Sequence, residues 1–156
     1  MQNYIKSQTR LAFVQYIFQN EFLSTVSSEG IDDFQKHFYD TNIAIIDEKK
    51  EFKLKFNKNF LNRLFYSFQN NIDKKIIIED LNRFIDINRK FEKWDNILKS
   101  IIFAIIAELL ITEKNKFKIV FNDYLNISKS LVSQKETKLI NAIIQKYIDK
   151  NEIDKK

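Results

Sequence analysis

The chain contains no proline, and Gly30 is its only glycine. These two residues interrupt regular secondary structure most strongly, so few positions in this sequence force a helix to end. Apolar residues recur at three- and four-residue intervals through most of the chain, which is the spacing of a helix that buries one face. The sequence therefore predicts an all-α fold of about seven helices.

Each predicted helix is defined by its apolar stripe or by its capping residues. The first is expected from about Ser7 to Phe22, with its stripe at Leu11, Val14 and Phe18, broadened by Phe13, Ile17 and Phe22. The others are expected near 31–38, after a cap at Asn57 or Asn59, near 76–88, from Asp95 through 96–111, at 118–131, and after a capping box of Ser133 and Glu136.

The stretch from Thr41 to Phe56 has the least regular pattern. Phe52, Leu54 and Phe56 alternate with polar residues, which permits a short extended segment. A surface loop is the favoured interpretation here.

Composition excludes several classes of protein. Without cysteine there is no disulfide, thiolate metal site or cysteine nucleophile, and this is compatible with a cytosolic protein. The amino terminus lacks the basic-then-apolar pattern of a signal peptide. The run from Ile101 to Ile111 is too short for a bilayer, which needs about 20 residues, and is interpreted as a buried core helix.

A net charge of +5 permits a polyanionic partner without requiring one.

The sequence offers no catalytic constellation and no metal site. His37 is the only histidine, and a structural role is favoured for it. Acidic neighbours such as Asp32 and Asp33 point about 100° apart on a helix, so they do not converge on one cation. One glycine cannot form a phosphate-binding loop. No enzymatic activity, cofactor or small-molecule substrate is expected.

Three polar residues stand among core-facing ones in the last third of the chain. An ionised Glu108 must reach water or find a donor. Either it points to solvent from its helix edge, or it is buried and links helices through a Lys or Asn on the following helices. For Asn122 and Asn141, bridging or capping of helices is favoured over ligand contact.

The start of the first helix carries the candidate binding residues. Lys6 and Arg10 lie away from the Leu11, Val14 and Phe18 stripe, and Gln15 follows them. Arg can bind a phosphate or base edge through two donors, and Lys supplies a mobile charge. We expect Lys6 and Arg10 to contact RNA phosphate and Gln15 to add a polar contact. A solvent-exposed helix start would show the same pattern.

Six different short motifs lie at defined places along the predicted helices. They are RLAFVQYIFQ at 10–19, FLNRLF at 60–65, EL at 108–109, FNDY at 121–124, ISK at 127–129 and LINAII at 139–144. Their order resembles the NusB family of bacterial transcription antitermination factors, whose motifs read ArxxAvQaLYq, FFrdLv, yEL, INEa or INEy, LAK and FVNgVL. The resemblance covers nearly the whole chain, has no gap from Glu108 to Ile144, and is weakest at 41–56 and 73–93.

The resemblance implies a NusB-like bundle of two packed helical subdomains, at about 1–75 and 76–150, followed by a charged tail at 151–156. It implies a non-catalytic adaptor in the bacterial cytoplasm that acts in antitermination at ribosomal RNA operons. Proteins of this family pair with NusE, a small-subunit ribosomal protein, and together they hold the boxA element of nascent RNA within the transcription complex.

This sequence also departs from the family pattern. Residues 6–9 read KSQT where the family has a run of arginines, so fewer phosphate contacts and a weaker salt dependence are expected. Lys116, Phe103 and Ala142 replace a usual Pro, Arg and Gly. An alternative is a protein-binding module of the same fold that has lost most RNA affinity. The helical domain found before certain ribosomal RNA methyltransferases is disfavoured, since no methyltransferase segment follows.

Overall fold

The computed structural model describes residues 3–22, 43–47, 50–53, 56–85 and 91–151. Within these residues the chain forms six α-helices, two short 3-10 helices at Phe91–Lys93 and Lys114–Lys116, and one pair of strands. The helices are α1 Asn3–Phe22, α2 Lys58–Asn71, α3 Lys74–Asn82, α4 Asn96–Leu109, α5 Phe117–Ser128 and α6 Gln134–Asn151. The all-α prediction is confirmed. The helix predicted near 31–38, with His37, lies outside the described residues.

Side-chain caps fix the starts of three helices. The Asn57 carboxamide oxygen accepts the Phe60 N–H at 2.8 Å, and the Asp73 carboxylate accepts that of Ile76 at 3.3 Å. At α6 the predicted capping box forms: the Ser133 hydroxyl accepts the Glu136 N–H, and the Glu136 carboxylate accepts the Ser133 N–H, both at 3.1 Å. These bonds satisfy backbone donors that have no partner inside the helix.

Several predicted boundaries differ from the observed ones. Helix α1 begins one turn earlier than expected, and α3 ends at Asn82 rather than near residue 88. Asp95 precedes α4 as predicted, but its side chain makes no capping hydrogen bond. Helix ends depend on the neighbouring structure, so a local pattern defines them less well than it defines the helix itself.

The favoured surface loop is wrong for residues 43–47 and 50–53. Strand β1, Ile43–Asp47, pairs antiparallel with strand β2, Lys50–Lys53, with Ala44 opposite Phe52 and an irregularity between Ile45 and Asp47. The alternative of a short extended segment is correct at Phe52, which lies in β2, whereas Leu54 lies outside the described residues and Phe56 lies outside the strands. Isoleucines in β1 and Phe52 in β2 are residue types that favour strands.

Helix α4 forms the centre of the bundle. Every residue from Ile101 to Leu109 is buried, and α1, α2, α5 and α6 all pack against this helix. The prediction of an enclosed core helix is confirmed. None of the helices in the described parts of the chain is both long and apolar enough to cross a membrane.

An aromatic cluster fills one side of this core. Ring centroids lie 6.3 Å apart for Phe13 and Phe68, 6.3 Å for Phe68 and Phe103, and 5.6 Å for Phe91 and Phe103. Trp94 lies 5.4 Å from Phe91. Edge-on arrangements of this kind are the favoured geometry for aromatic pairs. The core thus joins residues from both halves of the chain, and the division into two subdomains near residue 75 stays a prediction.

Candidate functional site

Arg10 lies at the junction of four helices. It is 6% exposed, on the face of α1 that also carries the fully buried Phe13 and Ile17. Phe13 and Ile17 follow Arg10 by three and seven residues, so the three share one side of the helix. Of the predicted stripe, Val14 and the broadening residues Phe13 and Ile17 are fully buried, whereas Leu11 and Phe18 are only half-buried. The buried face of α1 is therefore centred closer to Phe13 and Ile17 than predicted.

The guanidinium of Arg10 is held by two carboxylates. Its Nε donates to both oxygens of Glu108, at 2.9 and 3.0 Å, and one terminal nitrogen donates to Glu108 Oε2 at 2.7 Å. The other terminal nitrogen donates to Asp123 Oδ2 at 2.6 Å. Paired donors and acceptors of this kind make the strongest protein hydrogen bonds. Helices α1, α4 and α5 are thereby connected through one side chain.

Neighbouring groups complete this network. The Tyr124 hydroxyl donates to Glu108 Oε1 at 2.8 Å, and the Ser7 hydroxyl donates to Asp123 Oδ1 at 2.7 Å. The Arg10 guanidinium carbon also lies 5.5 Å from the Phe60 ring centroid and 5.8 Å from that of Tyr124. A cation over aromatic faces is stabilised electrostatically. Phe60 thus adds α2 to the elements that surround Arg10.

Burial and charge act in opposite directions on this arginine. Burial lowers the pKa of Arg10, but hydrogen bonds to Glu108 and Asp123 and the charge of Glu108 raise it more, so the pKa lies above its ordinary value. Burial raises the pKa of Tyr124 well above its ordinary value, and the Glu108 charge adds to this. Arg10 is therefore fully cationic and Tyr124 remains a neutral hydrogen-bond donor at physiological pH.

A polar cleft of about 720 Å³ lies over this network. Its lining combines the start of α1, the start of α2, the end of α4, the segment between α4 and α5, and residues 119–126 of α5. The charged residues among the lining are Lys6, Arg10, Arg63, Glu108, Glu113, Lys116 and Asp123. Four cations thus meet three carboxylates. The carboxylates of Glu108 and Asp123 are engaged by Arg10, whereas Lys6, Arg63 and Lys116 form no ion pair with another described residue.

The three predicted binding residues occupy different environments. Lys6 is half-buried and lines the cleft, one helical turn before Arg10. Arg10 also lines the cleft, but the expectation that it lies away from the buried face is wrong, because Phe13 and Ile17 share its side of α1. Gln15 is half-buried and is not among the residues that line the cleft. RNA contact by these residues stays a prediction.

The three polar residues singled out in the last third of the chain differ in burial. Glu108 is 3% exposed, so it is buried and links helices. Its partners are Arg10 and Tyr124, not the Lys or Asn on following helices that we expected. Asn122 and Asn141 are exposed, so neither is buried between helices as a bridging residue would be. Asn122 lines the cleft, which moves it from the structural residues to the candidate site.

Sequence reasoning missed two cations of the cleft. Arg63 is exposed on α2, one turn after Phe60, and Lys116 is exposed at the end of the second 3-10 helix. The available signal was Lys116 itself, since it occupies a position where the resembled family usually has Pro. Across the described parts of the chain, no cluster of three or more His, Asp or Glu side chains is placed to hold a metal ion.

These features define an all-helical protein in which a buried arginine connects the first helix to the carboxyl-terminal helices beneath a polar cleft. The chain belongs to the NusB family, whose family model matches residues 7–149. It is similar to the transcription antitermination protein NusB of Rickettsia conorii, with 26% identity over 141 residues, 90% of this chain and 89% of that protein. The NusB protein of Rickettsia typhi is 26% identical over 146 residues, 94% of this chain and 92% of that protein. No solved structure matches significantly.

Proposed function

We propose that this protein is a non-catalytic RNA-binding adaptor in transcription antitermination. It binds boxA-type RNA of ribosomal RNA operons together with NusE, within the transcription complex of the bacterial cytoplasm. Family membership and the names of the Rickettsia relatives support a role in transcription antitermination. The observation that carries RNA binding is the polar cleft, where Lys6 carries a charge that no described residue neutralises.

The predicted site residues take separate roles in this proposal. Lys6 contacts phosphate directly. Arg10 positions α1 beside α4 and α5, since all three of its nitrogens already donate to Glu108 or Asp123. A phosphate would have to compete with both carboxylates to bind it. Gln15 contacts RNA only where the strand continues along α1 beyond the cleft.

The first experiment compares RNA sequences. Labelled boxA-type RNA and a scrambled RNA of the same length and composition are titrated with the protein, with and without NusE. The proposal expects tighter binding of the boxA-type RNA, and a larger difference when NusE is present. Equal affinity for the two RNAs under both conditions would overturn it.

The second experiment separates the roles of Lys6 and Arg10. Lys6→Gln should lower the slope of log affinity against log salt by roughly 0.7, the share of one single-strand phosphate contact. In the Lys6→Gln background, Arg10→Ala should weaken binding without lowering the slope further, because it disturbs the position of α1 and removes no phosphate contact of its own. A further fall of the slope in the double variant would assign a direct phosphate contact to Arg10.

A protein-binding module with little RNA affinity is the second candidate. The observation that favours it is the engagement of Arg10 by carboxylates, which leaves Lys6 as the one unpaired cation among the predicted site residues. Capture of NusE that is insensitive to ribonuclease, together with no RNA binding by the purified pair, would support this alternative.

A further inference from the structure

Three cations from three separate elements open onto one cleft. Lys6 comes from α1, Arg63 from α2 and Lys116 from the 3-10 helix before α5. They are 57 and 53 residues apart in sequence, so only the tertiary structure brings them together. Resting on the proposed function, we propose that Arg63 and Lys116 form, with Lys6, the phosphate-binding rim of this protein.

The charges of the cleft are arranged by depth. Glu108 is 3% exposed, and the Asp123 side chain is 19% exposed; both face Arg10 at the floor. Arg63 and Lys116 are exposed at the mouth. One arginine against two carboxylates leaves the floor with an excess negative charge. A phosphate is therefore repelled from the floor and attracted to the rim, where Glu113 is the single carboxylate among the lining residues.

The buried network determines the spacing of the rim. Arg10 is bonded to α4 and α5 and packs on Phe60 of α2, and Lys6 and Arg63 lie one turn from Arg10 and Phe60 respectively. The rim cations thus project from helices that a shared side chain holds together. A site fixed in this way loses less conformational freedom when it binds.

The exposed Asn122 gives the rim a group that can recognise bases. It lines the cleft on α5, and its amide offers both a donor and an acceptor. Phosphate contacts position a strand but carry no sequence information, whereas amide contacts to base edges do. The rim therefore suits a single strand whose backbone crosses the mouth of the cleft with bases directed toward α5.

The test compares charge removal at the rim with equal charge removal elsewhere. Arg63→Gln and Lys116→Gln are the rim variants; Lys75→Gln, near the start of α3, and Lys146→Gln, on α6, are the matched controls. All four residues are exposed and each change lowers the net charge by one. Affinity for the same boxA-type RNA with NusE is measured across salt concentrations, together with thermal unfolding of each variant.

Each rim variant should lower the salt slope by roughly 0.7, which corresponds to an affinity about fivefold lower at 0.1 M salt. The controls should keep the slope of the unmodified protein. Asn122→Ala should reduce the preference for boxA-type over scrambled RNA and leave the slope unchanged. Equal slopes in rim and control variants, while the unmodified protein binds RNA, would overturn the rim alone. Absence of RNA binding by the unmodified protein with NusE would overturn the proposed function itself.

Discussion

Arg10 and Glu108 are 98 residues apart and form a bidentate ion pair inside the protein, with Arg10 Nε 2.9 Å from Oε1 and a terminal nitrogen 2.7 Å from Oε2. Replacing both members of such a pair by apolar groups is often tolerated, but removing one leaves an unpaired buried charge. This relationship makes the position of α1 depend on α4. It also explains why the cleft, which lies over the pair, has a defined shape.

Arg10→Met should lower the free energy of unfolding by about 3–5 kcal/mol, because Glu108 stays buried without its cation. The double variant Arg10→Met with Glu108→Met should lose less than the sum of the two single losses. Urea denaturation of the four proteins measures both quantities. Arg63→Met is the control and should stay within about 0.5 kcal/mol, since Arg63 is exposed. Additive losses would show that the pair is not coupled.

Tyr124 should make the protein less stable at alkaline pH. Its pKa in the folded protein is well above the ordinary value, because of burial and the Glu108 charge. The folded state therefore keeps the phenol proton when the unfolded state has released it. The contribution of Tyr124 to the free energy of unfolding is complete below about pH 10, the ordinary pKa of tyrosine in the unfolded chain. As the pH rises above this value, the contribution decreases by up to about 1.4 kcal/mol per pH unit.

Urea midpoints at pH 8 and 10.5 measure this effect in the unmodified protein and in Tyr124→Phe. At pH 8 the phenylalanine variant should have a lower urea midpoint than the unmodified protein, since Glu108 loses a hydrogen bond. Between pH 8 and pH 10.5 its urea midpoint should decrease by less than that of the unmodified protein. Tyr66→Phe, at an exposed position, should behave like the unmodified protein. Parallel declines in all three proteins would contradict the prediction.

Phe103→Ala should destabilise the protein by about 3–5 kcal/mol, because the side chain is 2% exposed and its removal leaves a cavity beside Phe68 and Phe91. Phe103→Leu should lower the free energy of unfolding by less than Phe103→Ala does. Trp94 is the only tryptophan and lies against Phe91, so its fluorescence follows the same unfolding transition. A loss below 1 kcal/mol in the alanine variant would mean that the core refills the space.

Ser133→Ala should lower the free energy of unfolding by about 1 kcal/mol, since it removes the hydroxyl that accepts the Glu136 N–H. Ser133→Gly should lower the free energy of unfolding by only about a few tenths of a kcal/mol. Asp95→Ala is a matched comparison: it occupies the corresponding position before α4, but its side chain makes no capping bond. Thermal unfolding should therefore rank Ser133→Ala as clearly more destabilising than Asp95→Ala, and the reverse order would refute the assignment.

The sequence predicted local features well. The capping box at Ser133, a cap at Asn57 or Asn59, the helices that follow these caps and the enclosed helix α4 depend on residues a few positions apart, and such contacts are readable from spacing. The structure shows that Asn57 is the cap. The hairpin at Ile43–Asp47 and Lys50–Lys53 was interpreted as a loop, because strand pairing joins two segments and alternation in one of them is a weak signal.

For the site, the sequence by itself determined that Glu108 needed a partner or water, and that Lys6 and Arg10 opened the first helix. Only the tertiary structure decided that Arg10 is this partner. The predicted apolar stripe of α1 included both Leu11 and Phe13, and packing against α4 buries Phe13 fully but leaves Leu11 half-buried. The same packing brings Arg63 and Lys116 to Lys6, since it alone relates residues that are distant in the chain.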